Sequence, residues 1–324
     1  MDVASTSTEA LPAYAEVLAA AARIAGRVLR TPVLRSEELD ALCGCVLHFK
    51  CENLQTGGAF KLRGAMNAVC SLSAAQAARG VATHSSGNHG AALARAARGR
   101  GIPCHVVVPE GAVAAKLRNM EAQGAVLHRC PPTLAGREAK VAEVLAATGA
   151  ESVPPFDDAR VIAGQGTAAL ELLEQQPDLD AIVVPVGGGG LLAGTALAAS
   201  GHKRKVEVIG AEPAGADDGA RSLAAGHRVT DVVPHTIADG LRATIGVRNF
   251  AIIQREVRTI WTVSEDEIVA AMRRAWECLR VVIEPSSAVP LAALFKHGRG
   301  LAGKRVGVIL TGGNVDLENL PWLK

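Results

Sequence analysis

Short apolar runs punctuate the chain at residues 105–108 (HVVV), 181–186 (AIVVPV), 206–212 (VEVIGAE) and 305–310 (RVGVIL). None alternates strictly with polar residues. A strand covered on both faces needs no such alternation, so these runs predict interior strands of parallel sheets. Residues 46–52 (VLHFKCE) predict a further strand. Ala-rich stretches between them carry helical spacing, and a helical rhythm also runs over residues 10–29. Near residue 264 a helix opens on a capping box, Ser264 followed by Glu267. The pattern is that of an α/β protein with open, mostly parallel sheets and flanking helices.

One unit recurs without being a sequence repeat. Residues 81–97 (VATHSSGNHGAALARAA) and 181–199 (AIVVPVGGGGLLAGTALAA) both read as strand, small polar or glycine loop, then helix. Such a loop lies where the strand's carboxyl end meets a helix N-terminus, the place where ligands of α/β sheets bind. Two such loops predict a cleft fed from two sheets. No Pro/Ser-rich linker divides the chain, so interleaved domains are expected.

Composition narrows the function. The 324 residues favour two domains, and 49% hydrophobic content supplies a large core. One tyrosine, three tryptophans and a net charge of +2 with dispersed basic residues argue against nucleic acid. Seven cysteines without a CxxC read as buried free thiols; Cys43 and Cys45 lack the further ligands that zinc needs. The N-terminal MDVASTSTEA has no secretory pattern and reads as a frayed end, and the expected compartment is a reducing cytoplasm. Residues 181–200 are uncharged and long enough to span a bilayer, yet four glycines and a proline interrupt them. No membrane span is expected.

Four stretches carry candidate chemistry. In TGGAFKLRGA (56–65), Lys61 is either a helix-surface residue or a reactive amine in a cavity. Gly187, Gly188, Gly189 and Gly190 can turn sharply and present backbone N–H groups to a phosphate; the alternative is a tightly packed turn. The P-loop pattern is absent. Gly188-x-Gly190-x-x-Ala193 with Glu212 fits a dinucleotide fingerprint, which keeps an NAD-dependent dehydrogenase as a rival. Ser85, Ser86, Asn88 and His89 suit a carboxylate. Glu212, the Ala216 carbonyl and Asp218 could bind Mg²⁺ or Ca²⁺, although spacing alone favours a solvated helix cap.

TGGAFKLRGA, SSGNHGAALA, VGGGGLLAG, EPSSAV (284–289) and LTGGNVD (310–316) occur in that order. Together they resemble the fold-type II pyridoxal-phosphate enzymes, in the serine/threonine dehydratase and serine racemase family, with the racemase side nearest. The resemblance implies a homodimer with a large domain (1–79 plus 156–324) and a small mobile domain (80–155). It implies that Lys61 forms the Schiff base, Phe60 packs beside the cofactor ring and Asn88 hydrogen-bonds its phenolic oxygen. Gly187 to Gly190 and Leu191 would hold the phosphate, Thr311 would face the pyridine nitrogen, and Glu284 would lie near the cofactor. Ser85 to His89 would bind the substrate carboxylate, with Ser86 a second acid/base opposite Lys61. Glu212, Ala216 and Asp218 would hold a divalent cation, Mg²⁺ with Ca²⁺ or Mn²⁺ as alternatives, which reverses the reading from spacing.

The implied activity is elimination of water and ammonia from L-serine or L-threonine, with serine racemisation beside it. A neutral Thr311 hydroxyl does not favour a protonated pyridine nitrogen, so elimination competes with racemisation. Ala91, Gln123, Arg242 and Ala243 depart from the racemase pattern. Arg242 facing a second substrate carboxylate would instead favour L-threo-3-hydroxyaspartate; the alternative places it on the surface. A non-catalytic binding protein that keeps the fold is a third possibility.

Overall fold

The computed structural model describes residues 11–323, leaving the side chain of Ala115 aside. The reading of the N-terminal tail falls on residues 1–10, outside the described residues. Among the described residues ten strands build two sheets. They are β1 (Val33–Leu34), β2 (Val46–Cys51), β3 (Val81–His84), β4 (Cys104–Pro109), β5 (Val126–Cys130), β6 (Glu151–Ser152), β7 (Ala181–Pro185), β8 (Glu207–Pro213), β9 (Thr259–Val263) and β10 (Arg305–Leu310).

The larger sheet runs β1-β2-β10-β7-β8-β9, and the smaller runs β5-β4-β3-β6. All pairings are parallel except β1 with β2. The smaller sheet is drawn wholly from residues 81–152, inserted between strands of the larger one. Every residue of β7 is buried, as expected of a strand covered on both faces. By contrast β5 is half exposed and β1 and β6 have two residues each. That explains why the apolar pattern missed them.

The helix expected over residues 10–29 is shorter, Tyr14–Ile24, and its first turn is closed by the Glu16 carboxylate accepting from the Ala13 N–H at 2.7 Å. The capping box at Ser264 forms as expected: Glu267 N donates to Ser264 Oγ at 3.3 Å, and Ser264 N donates to the Glu267 carboxylate at 2.7 Å. Residues 181–200 fold as β7, the glycine loop and the helix Gly190–Ser200. Among the described residues no helix is long and apolar enough to cross a membrane. All seven cysteines are free, four of them fully buried.

The helix Lys61–Cys70 sits where the two halves meet. Leu62, Ala65 and Val69 join the core under the smaller sheet with Val81, Leu93 and Val106. Its other side approaches the helix Ala159–Gln175 through Gly64 and Gly164, where a Cβ on Gly164 would come within 2.6 Å of the Gly64 backbone. Arg63 fixes the junction. Its guanidinium donates to both oxygens of the buried Glu52 at 2.8 Å and to both oxygens of Glu171 at 2.8 Å. Buried Lys50 completes the charge balance, donating to Glu171 at 2.7 Å. Two cations and two carboxylates thus cancel in an interior where an unpaired charge is very costly.

Candidate active site

The stretch 56–65 enters the site by a turn that only glycine makes easily: Gly57 and Gly58 have φ of +85° and +75°. A side chain at Gly58 would collide with Asn314. The turn is tied to the segment after β10, since Phe60 N donates to Thr311 O at 3.0 Å and Gly313 N donates to Gly58 O at 2.9 Å. Lys61 is therefore the first residue of a helix whose start is clamped on both sides. Its Nζ donates to the Pro155 carbonyl at 2.8 Å and lies 5.1 Å from the Phe60 ring centre. Burial lowers its pKa from 10.5 to about 8, against the opposing pull of the Glu284 carboxylate. Lys61 is half-buried, with its amine desolvated and turned onto a backbone carbonyl rather than to water.

Glu284 is buried, and burial together with the Asp239 carboxylate raises its pKa to about 7. Asn88 Nδ2 donates to its two oxygens at 3.0 and 3.2 Å, and Asn314 N donates at 3.2 Å. Asn314 Nδ2 also donates to Asn88 Oδ1 at 3.0 Å. The sequence assigns Asn314 no role of its own; its one signal is its place in the GGNVD motif. Thr311 is buried, with its hydroxyl 3.0 Å from that of Ser287. Ser287 Oγ donates to Gly312 O and accepts from Gly312 N, both at 2.7 Å, so it anchors this corner.

The loop after β3 places Ser85, Ser86 and Asn88 half-buried at the start of the helix Asn88–Arg100. His89 points inward: its Nε2 hydrogen-bonds the Val153 carbonyl at 3.0 Å, and burial, followed by the charge of Lys61, lowers its pKa to about 3. It stays neutral and donates from Nε2 to that carbonyl. Ala91 and Gln123 border one small cavity of about 30 Å³ together with Asn88 and Arg95.

The glycine loop follows β7 directly. Gly189 has φ +88°, and a Cβ on Gly187 would lie 2.9 Å from Leu241 Cα. Phe156 covers the loop so closely that a Cβ on Gly188 would strike its ring, and one on Gly190 would lie 3.0 Å from its carbonyl. The N–H groups of Gly190, Leu191 and Leu192 open the helix and have no intrahelical acceptor. This bare backbone at a helix N-terminus is joined to Lys61 through the adjacent Phe156 and Pro155, and Lys61 to the Asn88 amide through the Glu284 carboxylate, a set that fits a phosphate-bearing aldehyde. Pro155 and Phe156 had no sequence signal, because one acts through its carbonyl and the other by covering glycine.

Glu212 is fully buried and accepts from Gly219 N at 3.1 Å and Ala220 N at 2.8 Å. Asp218 is buried beside it and accepts from Ile245 N at 2.7 Å. Burial raises both carboxyl pKa values, and each acid's neighbouring carboxylates add to the effect. The described residues hold no group of three His, Cys, Asp or Glu side chains suited to a metal; the set here is two carboxylates with the Ala216 carbonyl as the third oxygen. Glu212 is also the acid that a dinucleotide fingerprint requires. Enclosed and bound to backbone N–H groups, it cannot reach a ribose, and the dehydrogenase reading fails. Arg242 is exposed and turns both Nε (3.0 Å) and Nη2 (2.6 Å) onto the Thr236 carbonyl.

Two α/β sheets with a lysine-bearing helix between them and a glycine loop after a central strand define the fold type II class of pyridoxal-phosphate enzymes. The chain matches the model of the pyridoxal-phosphate dependent enzyme family over residues 24–312 and belongs to that family. It is 51% identical over 312 residues to a β-hydroxyaspartate dehydratase of Paracoccus denitrificans, covering 96% of this chain and 99% of that one. It is 49% identical over 303 residues to a serine racemase of Arabidopsis thaliana, covering 92% of each. The solved structure of maize serine racemase superposes with a TM-score of 0.94 at 43% identity, covering 97% of each chain.

Proposed function

We propose that this enzyme eliminates water from L-serine or L-threonine to give a 2-oxo acid and ammonia, and racemises serine at the same site. The observation that supports it most is the desolvated amine of half-buried Lys61, its pKa lowered to about 8, held at 2.8 Å by the Pro155 carbonyl. In this reading the N–H groups of Gly187 to Leu191 bind the cofactor phosphate, Asn88 and Phe60 border its ring, and Thr311 presents a neutral hydroxyl to the ring nitrogen. When bound, pyridoxal phosphate supplies the sink for the electron pair left on the substrate Cα.

Ser85 to His89 orient the substrate carboxylate at the start of a helix, where N–H groups favour an anion. Lys61 Nζ takes the Cα proton on one face, which its lowered pKa allows near neutral pH. In elimination the Cβ–O bond then breaks, the hydroxyl leaves with a proton as water, and the enamine product hydrolyses to the 2-oxo acid and ammonia. In racemisation Ser86 returns a proton to the opposite face. Glu284, which accepts from the Asn88 amide and the Asn314 backbone N–H, holds the Asn88 amide in place and can exchange a proton near pH 7.

Glu212, Asp218 and the Ala216 carbonyl form the proposed Mg²⁺ site, two buried carboxylates that accept from backbone N–H groups. The small domain, residues 80–155, is read as closing over the substrate, with Lys116 and Asp239 meeting at 2.7 Å where the two halves face each other. The chain is read as a homodimer, which light scattering on the purified protein tests.

A second reading, L-threo-3-hydroxyaspartate dehydratase, is supported by the 51% identity to a β-hydroxyaspartate dehydratase. The Thr236-bound Arg242 does not support it. The experiment measures 2-oxo acid release and D-serine formation from L-serine, L-threonine and L-threo-3-hydroxyaspartate, with and without Mg²⁺. Borohydride reduction of the holoenzyme followed by peptide mapping should place the label on Lys61. A label elsewhere overturns the site, and turnover of 3-hydroxyaspartate alone selects the second reading.

A further inference from the structure

The glycine loop cannot hold its own shape. Four residues without side chains have the largest backbone freedom of any, yet an anion site needs their N–H groups fixed in one direction. The sequence shows nothing that could fix them.

The structure supplies a buried amide. Asn249 stands in the first turn of the helix Val247–Glu256 and is fully buried. Its Nδ2 donates to the Gly188 carbonyl at 2.5 Å and to the Phe156 carbonyl at 3.3 Å. Two carbonyls facing one end of the amide identify that end as the NH₂ group. Its Oδ1 is buried without a hydrogen-bond partner among the described residues. An acceptor left unsatisfied is costly, so this side chain is oriented by its donor end alone. Gly246 N adds a second donor to the Gly188 carbonyl at 3.1 Å.

The support for Asn249 is itself tied to the same segment. The Asp157 carboxylate accepts from Val247 N at 2.9 Å and Arg248 N at 3.0 Å, capping the helix that carries Asn249. Phe156, the preceding residue, lies on Gly188. Segment 156–157 and Asn249 therefore clasp the loop from two sides.

We propose that Asn249 is a positioning residue for the cofactor phosphate. The peptide plane carries the Gly188 carbonyl and the Gly189 N–H on opposite edges. Pinning the carbonyl to Asn249 turns that N–H the other way, and Gly189 at φ +88° completes the turn into the helix. Asn249 acts through the loop and does not touch the cofactor. The inference rests on the reading that Gly187 to Leu191 hold the phosphate.

The test strips the holoenzyme of cofactor and titrates it with pyridoxal phosphate and, separately, with pyridoxal, which lacks the phosphate. Wild type, Asn249→Ala, Asn249→Ser, Asn249→Asp and Ile252→Ala are compared; the last is a buried truncation on the same helix. Asn249→Ala should bind pyridoxal phosphate about tenfold more weakly, the loss of one to two hydrogen bonds, with pyridoxal binding unchanged. Asn249→Ser keeps one donor and should fall between. Asn249→Asp sets a carboxylate against two carbonyls and should be weakest; should it not fold, the Ala and Ser variants decide. Ile252→Ala should lower the Tm without altering the ratio of the two affinities.

Equal losses for both ligands, or a ratio in Asn249→Ala like that of wild type, overturn the inference. If wild type itself fails to prefer pyridoxal phosphate over pyridoxal, or the borohydride label is not on Lys61, the reading of the site falls instead.

Discussion

At the residue scale the proposed chemistry rests on the amine of Lys61. An amine with its pKa lowered to about 8 is charged below that pH and free above it. The rate at which apoenzyme captures pyridoxal phosphate should therefore rise with pH through about 8 and level off. Stopped-flow absorbance measures it, and a midpoint near the ordinary lysine value of 10.5 would show that the amine is not desolvated. Ser86→Ala should abolish D-serine formation while sparing much of the 2-oxo acid release from L-serine; equal loss of both would remove Ser86 as the second acid/base. Lys61 was open to two readings in TGGAFKLRGA, because nothing in ten residues says whether a lysine faces water. The resemblance of five ordered motifs raised it to a candidate. Burial and the Pro155 carbonyl, contributed by a residue ninety-four positions away, show the physical state of the amine.

At the scale of elements, the glycine loop and the Lys61 helix each depend on a partner from elsewhere in the chain. Gly188→Ala drives a methyl into the Phe156 ring and should cost about 1–3 kcal/mol by overpacking, together with cofactor affinity. The double variant Gly188→Ala/Phe156→Ala should recover much of the lost stability by thermal melting, and no recovery would mean that Phe156 is not the obstacle. Arg63→Leu leaves Glu52 buried without its cation and should cost about 3–5 kcal/mol, read as a fall in chemical-denaturation midpoint. The inner strands of the larger sheet, β2, β10, β7 and β8, were legible because burial on both faces writes itself as an unbroken apolar run. Strand β5 was not, since its half-exposed pattern does not differ from that of a loop. Nor could the run KLR show that Arg63 would be wholly enclosed, because its enclosure needs Glu52 and Glu171 from two other elements.

Across the whole molecule, the proposed cation site at Glu212 and Asp218 would link cation binding to stability. Both carboxyls have folded-state pKa values raised by burial. Without a cation, the folded state holds their protons more tightly than the unfolded chain does. Stability from this pair is thus present at low pH and lost as pH rises from the unfolded carboxyl values through the raised ones. A bound cation replaces those protons. Mg²⁺ should raise the Tm more at pH 8 than at pH 6, and Glu212→Gln should remove most of the increment. An increment independent of pH, or unaffected by Glu212→Gln, would place the cation elsewhere.

By itself the sequence determined the α/β class, the central strands, the capping box and the order of the candidate ligand loops. These are local properties, set by burial pattern, turn chemistry and motif identity along a few residues. It left open which loops meet, which charges are enclosed and how a run of glycines is held. Those were decided by tertiary structure, because each depends on desolvation and on hydrogen bonds between residues tens to hundreds of positions apart. Lys61 with Pro155, Arg63 with Glu171, and Gly188 with Asn249 are three such pairs. None has a spacing that a sequence could advertise.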